Sequence, residues 1–394
     1  MPASQLVGVN YTSASWFTFA PYAVLRDHKL LVGTGLTVGS RFGLAGYNGA
    51  ASGWETEGPA VRRTTRRGSA PPRARPARTP AAGVTPGAGR PAAPCRPAPT
   101  RVGRMFDLLV IGGLGVDVRV RVPAIPLPAA DSVTVDPIEL RIGNTGSGLA
   151  LAAHALGLRV AVVDVLGADP AGDVVRAALA RTGVHAVLGD APAGTRRSVN
   201  MVDPAGRRMS LYDPRPWRGP APFAAAELAA LARDSAHVHL SIMDWVPPLL
   251  PALRAGLADG AALSTDLHDW DGENPYHRPF AEAADVVFVS GVRLGAGSAA
   301  LAAALAPRTV LVTHGAAGAD LHTGDGGPTR VPAAEAPAPV VDTNGAGDAF
   351  AAGVIAARLR GVPPAAAAAY GARVAAAACT HDGMEYPAGL LPRP

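Results

Sequence analysis

The chain has 394 residues, 48% of them hydrophobic, two cysteines, and 36 basic against 31 acidic side chains. That is enough for one large domain or two ordinary ones with a full core. Cys95 and Cys379 lie far apart and outside any CxxC pair, which excludes a disulfide scaffold, and the apolar residues never run long enough for a membrane-spanning helix.

The net charge of +5 averages two unlike parts. Residues 1–104 hold 14 basic and 3 acidic side chains, whereas 105–394 hold 22 and 28. The body is mildly acidic, so no nucleic-acid partner is expected for it, nor a membrane. Its basic residues are all arginine, the single lysine of the protein being Lys29, so mechanisms that need a lysine are excluded there. The N-terminus lacks the basic-then-apolar layout of a secretory signal, and a cytoplasmic location is expected.

Residues 1–57 contain a few aromatics, among them Trp16, Phe17 and Phe19, without a sustained period of 2 or 3.6. Residues 58–104 are dominated by Pro, Ala, Gly and Arg with no acidic residue, a composition that cannot offset its ordering entropy. The expectation for 1–104 is a disordered, dispensable basic extension upstream of a start at Met105. A basic binding tail and an Arg-rich transit peptide are the alternatives.

From Met105 the texture changes. FDLLVIGG reads as a buried strand ending in glycines. VRVRV at 118–122 and SVTVDPIELRI at 132–142 alternate with period 2 and read as strands. A Gly-rich turn, Gly143 to Gly148, opens into a helix, LALAAHALG, closed by Gly157. RVAVVDVLG is a strand; Asp169 and Pro170 are the N-cap and first residue of the next helix, and VHAVL is a strand again. A β-hairpin is expected over 195–212, turning at DPAG. Strands then recur at HVHLSI, AALSTDL, ADVVFVS and RTVLVTHG, with apolar helices between. VVDTNGAGDAFAAGVIAARLRG reads as a strand, a Gly-rich turn and a helix stopped at Gly361, and Pro363-Pro364 starts a last helix reaching about Cys379. This alternation predicts an α/β fold with a mostly parallel sheet.

The sharpest chemical feature is the run Asp342-Thr343-Asn344-Gly345-Ala346-Gly347-Asp348. Small residues let a ligand approach the backbone, and first-turn N–H groups with the helix dipole form an anion site. Asp348 in that turn can take a proton from an attacking hydroxyl; equally, an aspartate is at home near any helix start. GGLGVD at 112–117 suggests a dinucleotide loop, but the third glycine of GxGxxG would fall on Val118 and an extended segment follows, so that reading is rejected.

DTNGAGD resembles the DTxGAGD signature of the ribokinase-like (PfkB) carbohydrate kinase family. Over 105–394 other motifs agree in order, and ADVVFVS is similar to ketohexokinase-type members. The resemblance implies a three-layer fold with a mostly parallel central sheet and a small β-sheet lid, its strands near 118–142 and 195–212. It implies transfer of the γ-phosphoryl of ATP to a sugar or sugar-like hydroxyl, with Mg²⁺ and, in many members, a monovalent cation such as K⁺. A lysine-free body is compatible with this family. Asp348 would be the base, with Gly345, Ala346 and Gly347 as the anion hole. Thr313, Gly315 and Gly318, from a TxGxxG-like loop, would bind nucleotide, and Asp342 and Thr343 would shape the turn. Asp117, Gly143, Asn144 and Gly148, with Asp348, would line the acceptor site, and a homodimer through the lid is allowed. A nucleoside or sugar-phosphate kinase and a non-catalytic nucleotide- or sugar-binding member are the rival readings.

The chain departs from the family where many members carry NxxE, having Ser290, Gly291, Val292 and Arg293, and it has Gly115 and Gly148 where asparagines are common. The acidic string at 266–271 (Asp266, His268, Asp269, Asp271) follows a strand end; Asp266 is the metal-ligand candidate, against an ordinary solvated loop. His237 and His239, facing one side of a strand, are expected to serve packing, in the core or at the surface. Arg196, Arg197, Arg207 and Arg208, and Arg141, could clamp a phosphate or simply be solvated.

Overall fold

Four consecutive aliphatics with no polar break, Leu108 to Ile111, suit a strand covered on both faces. The computed structural model describes residues 103–393 other than 206, 307, 325 and 326, together with the backbone of three short strands ahead of them. Those strands, β1 (Leu6–Gly8), β2 (Tyr22–Arg26) and β3 (Lys29–Gly33), form an antiparallel meander in a unit of its own, which the sequence periodicity does not signal. The disorder expected for the remainder of 1–102 falls outside the described residues.

In the larger unit the aliphatic run is β4 (Leu108–Ile111). After it come β5 (Gly115–Arg121), β6 (Glu139–Gly143), α1 (Thr145–Ala155), β7 (Val160–Leu166), α2 (Pro170–Ala180), β8 (His185–Asp190), β9 (Arg197–Val202) and β10 (Arg208–Asp213). The chain continues through α3 (Ala225–Arg233), β11 (His237–Ser241), α4 (Leu250–Gly256), β12 (Ala262–Asp266), α5 (Arg278–Ala283), β13 (Val286–Ser290) and α6 (Ser298–Ala304). It ends with β14 (Thr309–Thr313), β15 (Ala319–Thr323), β16 (Thr329–Val331), α7 (Ala346–Leu359) and α8 (Pro364–Ala378).

The main sheet has nine strands in the order β16-β15-β14-β13-β12-β11-β4-β7-β8, parallel from β14 to β8 and antiparallel only at the β16-β15 edge. Alternate residues of each strand feed two separate cores. Leu108 and Val110 join α1, α2, α7 and α8 on one face, while Leu109 and Ile111 join α3 to α6 on the other. Helices on both faces of a parallel sheet give three layers, as expected. On the first face α7 and α8 approach closely, because a Cβ at Gly353 would stand 2.9 Å from the Gly371 Cα. The Asp169 cap forms as read, its Oδ1 accepting from the Gly172 N–H at 2.8 Å.

A second sheet, β10-β9-β5-β6, is the lid. Its cross-strand register aligns Leu140, Val118, Val199 and Leu211 on one face and Arg141, Asp117, Ser198 and Tyr212 on the other. Two expected strands differ. Of the run 132–142 only 139–142 joins a strand, β6; Pro137, just ahead of it, lacks the N–H a ladder needs. Val340 and Val341 form no strand and are exposed; the N–H groups of Val341 and Asp342 donate instead to the Cys379 carbonyl, at 2.8 and 3.1 Å. No described helix is long and apolar enough to cross a membrane.

Candidate active site

Strands of one direction expose all their carboxyl ends along one edge, where such folds bind ligands. Asp266 ends β12, Ser290 ends β13, Thr313 ends β14, and the turn after β4 leads into the Asp117 strand. Over this edge stands the N-terminus of α7. Gly345 adopts the left-handed conformation (φ 76°) that lets the chain turn from Asp342 into the helix. Ala346 donates to the Thr343 carbonyl at 3.3 Å, and Thr343 and Gly347 face open space. The next N–H groups lie in the first helical turn, where no intrahelical acceptor exists.

Asp348 is 7% exposed, on the buried side of this turn. Burial, and then the charges of Asp266 and Asp117, push its carboxyl well above the ordinary carboxylate range, against a smaller opposing effect of Arg208. Asp117 is also buried and raised, by desolvation first, although hydrogen bonds from Asn344 and Ser198 work to lower it. Asn344 ties the two halves together: its Nδ2 donates to Asp117 Oδ2 at 2.9 Å and its Oδ1 accepts from Arg208 at 3.2 Å. The motif named Asn344 only as the variable position of DTxGAGD; its bridging place could not be read from spacing.

The glycines around this cluster are space for neighbours. A Cβ on Gly148 would lie 2.2 Å from Asp348 Oδ2, one on Gly143 2.1 Å from the Asp117 Cγ, and one on Gly115 2.0 Å from Asn144 Nδ2. The two positions where asparagines are common are thus filled by the side chains of Asp348 and Asn144. Three buried polar atoms here have no partner within the protein: Asn144 Nδ2, Ser147 Oγ and Ser241 Oγ. Unpaired buried donors are costly unless a ligand completes them.

Comparison with known proteins decides what this arrangement belongs to. Residues 280–388 match the model of the pfkB family carbohydrate kinases. The chain is 42% identical over 278 residues to an acarbose 7(IV)-phosphotransferase of Actinoplanes sp., covering 70% of this chain and 92% of that protein. The chain is a PfkB-family carbohydrate kinase. The structure of a microbiome-derived acarbose kinase aligns with a TM-score of 0.64 and 40% identity, over 72% of this kinase and 95% of that chain. Arabidopsis thaliana ribokinase, complexed with ribose and ATP, shares the fold at 20% identity, with a TM-score of 0.61 over 73% and 96% of the two chains.

Within this kinase the nucleotide-loop candidates lie apart from the Asp117–Asp348 cluster, at the β14 end. Thr313 is half-buried, its Oγ1 3.5 Å from the Val289 carbonyl; Gly315 is exposed, and at Gly318 a Cβ would stand 2.2 Å from the Val331 carbonyl. His314, 2.9 Å from Asp320 Oδ2, pins this loop to β15.

Asp266 Oδ1 accepts from the His268 N–H at 2.7 Å, whereas Asp269 and Asp271 leave the site and face Arg293, at 3.8 and 3.1 Å. The acidic string is therefore split, and Arg293, at the place of the NxxE glutamate, pairs with two of its carboxylates. The arginines of the hairpin also part company. Arg196 is buried on Asp164, Arg197 pairs with Asp169, Arg207 with Asp203, and only Arg208 reaches the site, through Asn344. His237 and His239 pack in the core, His237 Nε2 and His239 Nδ1 meeting Ser264 Oγ at 2.7 and 2.8 Å; burial pushes them down to about 4 and about 3, so both are neutral.

Proposed function

We propose that this kinase moves the γ-phosphoryl of ATP to a hydroxyl of an acarbose-type acceptor, with Asp348 as general base. The supporting observation is the buried Asp348 carboxylate at the open N-terminal turn of α7, held against Gly148 and flanked by the Asp117–Asn344 pair. The Asp348 carboxylate takes the hydroxyl proton, the freed oxygen bonds to the γ-phosphorus, and the bond from phosphorus to the β–γ bridging oxygen breaks to release ADP. N–H groups at Gly345 to Gly347 face the charge that develops on the transferring group. Asp117 and Asn144, with the polar lid face, orient the acceptor. Thr313, Gly315 and Gly318 bear on the nucleotide.

Mg²⁺ fits this edge as an ion carried by the phosphates. Among the described residues no three His, Cys, Asp or Glu side chains converge, and Mg²⁺ asks for only one or two carboxylates when phosphates and waters complete its shell. Asp266 is the carboxylate that would hold it, and the bound ion would neutralise phosphate charge.

ADP release by the full-length protein with Mg²⁺·ATP, across acarbose, ribose, fructose, nucleosides and sugar phosphates, tests the acceptor. Stimulation by acarbose is expected; preference for a nucleoside or a sugar phosphate would replace this reading with its rival. A second result follows from the raised Asp348 carboxyl. A base must be ionised, so turnover falls with acid as pH passes down through an elevated pKa. The acid limb of the kcat–pH profile is expected above the ordinary carboxylate range, and in Asp117→Asn, which removes a neighbouring charge, it moves to lower pH. A limb that stays in place in that variant would contradict the coupling.

A further inference from the structure

The resemblance implies a monovalent cation for many members, and such an ion needs a cage of carbonyl and carboxylate oxygens with lone pairs to spare. The oxygens behind the anion turn come from Asp342 and from the segment after α8. Asp342, its side chain 5% exposed, has Oδ1 on the Asn344 N–H at 2.9 Å and Oδ2 facing Arg119 Nη2 at 3.2 Å and the Gly383 N–H at 3.4 Å. The Cys379 carbonyl accepts both the Val341 and Asp342 N–H groups. The Asp382 carbonyl accepts from Arg141 Nη1 at 2.7 Å. The Asp382 carboxylate is hydrogen-bonded to Arg119 and, at 3.1 Å, to Arg141. Burial works to raise the Asp382 carboxyl, but these arginines and Arg121 more than offset it and hold it low.

Each of these oxygens accepts at least one N–H donor, and the guanidinium groups of Arg119 and Arg141 sit directly against the Asp342 and Asp382 carboxylates, bringing fixed positive charge to them. Arginine keeps its charge at all working pH values and its five N–H groups hold fixed directions. Without a counter-charge, the buried Asp342 carboxylate would set negative potential directly behind a turn whose front must stabilise a transferring phosphoryl group.

We propose that Arg119, backed by Arg141, is the built-in counter-cation of the anion turn, so that this kinase works without a monovalent metal ion. Arg119 acts through Asp342 and is a positioning residue. The turnover arm of the test rests on the kinase reading above; the stability arm does not.

Turnover of the full-length protein with Mg²⁺·ATP and acarbose is compared in KCl, NaCl and choline chloride at one ionic strength, and the melting temperature is recorded in the same three salts without substrate. Both are expected to be the same in all three. Stimulation of turnover by K⁺ over choline, or a melting temperature raised by K⁺ alone, would overturn the proposal. If no acceptor supports turnover, the kinase reading fails and the melting comparison still reports on the cation.

Arg119→Met opens the cage. Its turnover is expected to fall and to be restored in part by K⁺ but not by choline, with a K⁺-specific rise in melting temperature of the kind a ligand of the folded state produces. Arg119→Lys keeps the charge and is expected to remain indifferent to the choice of salt. An Arg119→Met protein with wild-type turnover in choline would overturn the proposal, and if that variant fails to fold, the wild-type salt comparison decides.

Discussion

Replacing Asp348 by asparagine is expected to lower kcat by about 10²–10⁴-fold, the span of a lost general base. Asparagine keeps the shape and can still fill the space beside Gly148, but it cannot take the acceptor proton. The same substitution is expected to raise the melting temperature at neutral pH. A carboxyl whose folded pKa is raised is one whose ionised form the fold disfavours. Its ionised form thus costs stability above that pKa, and the uncharged amide removes the cost. Activity and stability should therefore move in opposite directions, which a mere packing defect would not produce. Steady-state turnover and calorimetry on one preparation check both, and undiminished turnover would remove Asp348 from the role of base.

How far such a site can be read beforehand depends on whether its information is local. The sheet was legible because most of its parallel strands are short and largely aliphatic: Val160–Leu166, aliphatic but for Asp164, is buried at every position, as a strand covered on both faces is. The turn before α7 was legible because closely spaced glycines between an extended run and a helical pattern mark a tight turn, though the use of Asp348 stayed open between a base and an ordinary helix-start residue. What escaped depends on register and on distant segments. Arg119 meets Asp342 and Asp382 because β5 carries it past two parts of the chain more than 200 residues away. The bridge from Asn344 to Asp117 joins residues 227 positions apart. Conversely Val340 and Val341 have the composition of a strand and no neighbour to pair with, since β16, short and polar, closes the sheet edge. Gly115 and Gly148 look in the sequence like lost ligands; in the structure they are volumes reserved for Asn144 and Asp348.

That last point carries the second large effect. In Gly148→Ala the new Cβ would stand 2.2 Å from Asp348 Oδ2, 2.8 Å from its Cγ and 3.0 Å from its Cβ. Real atoms do not approach so closely, so one side must move. Gly148 lies inside α1, packed against the sheet, whereas the Asp348 carboxylate is the free end of a side chain, and it is the carboxylate that yields. A displacement on the order of 1 Å from productive geometry costs about 10²-fold in rate. The expectation is a kcat reduced by about that factor with nucleotide affinity unchanged, because the nucleotide loop at Thr313 to Gly318 lies at the end of a different strand. Alanine also has the higher helix propensity, so the helix itself is not weakened by the exchange. Titration with ATP separates the two sites. Unchanged kcat would mean that the base does not sit where Gly148 makes room for it, and loss of nucleotide binding as well would point to collapse of the α1 end rather than to a displaced carboxylate.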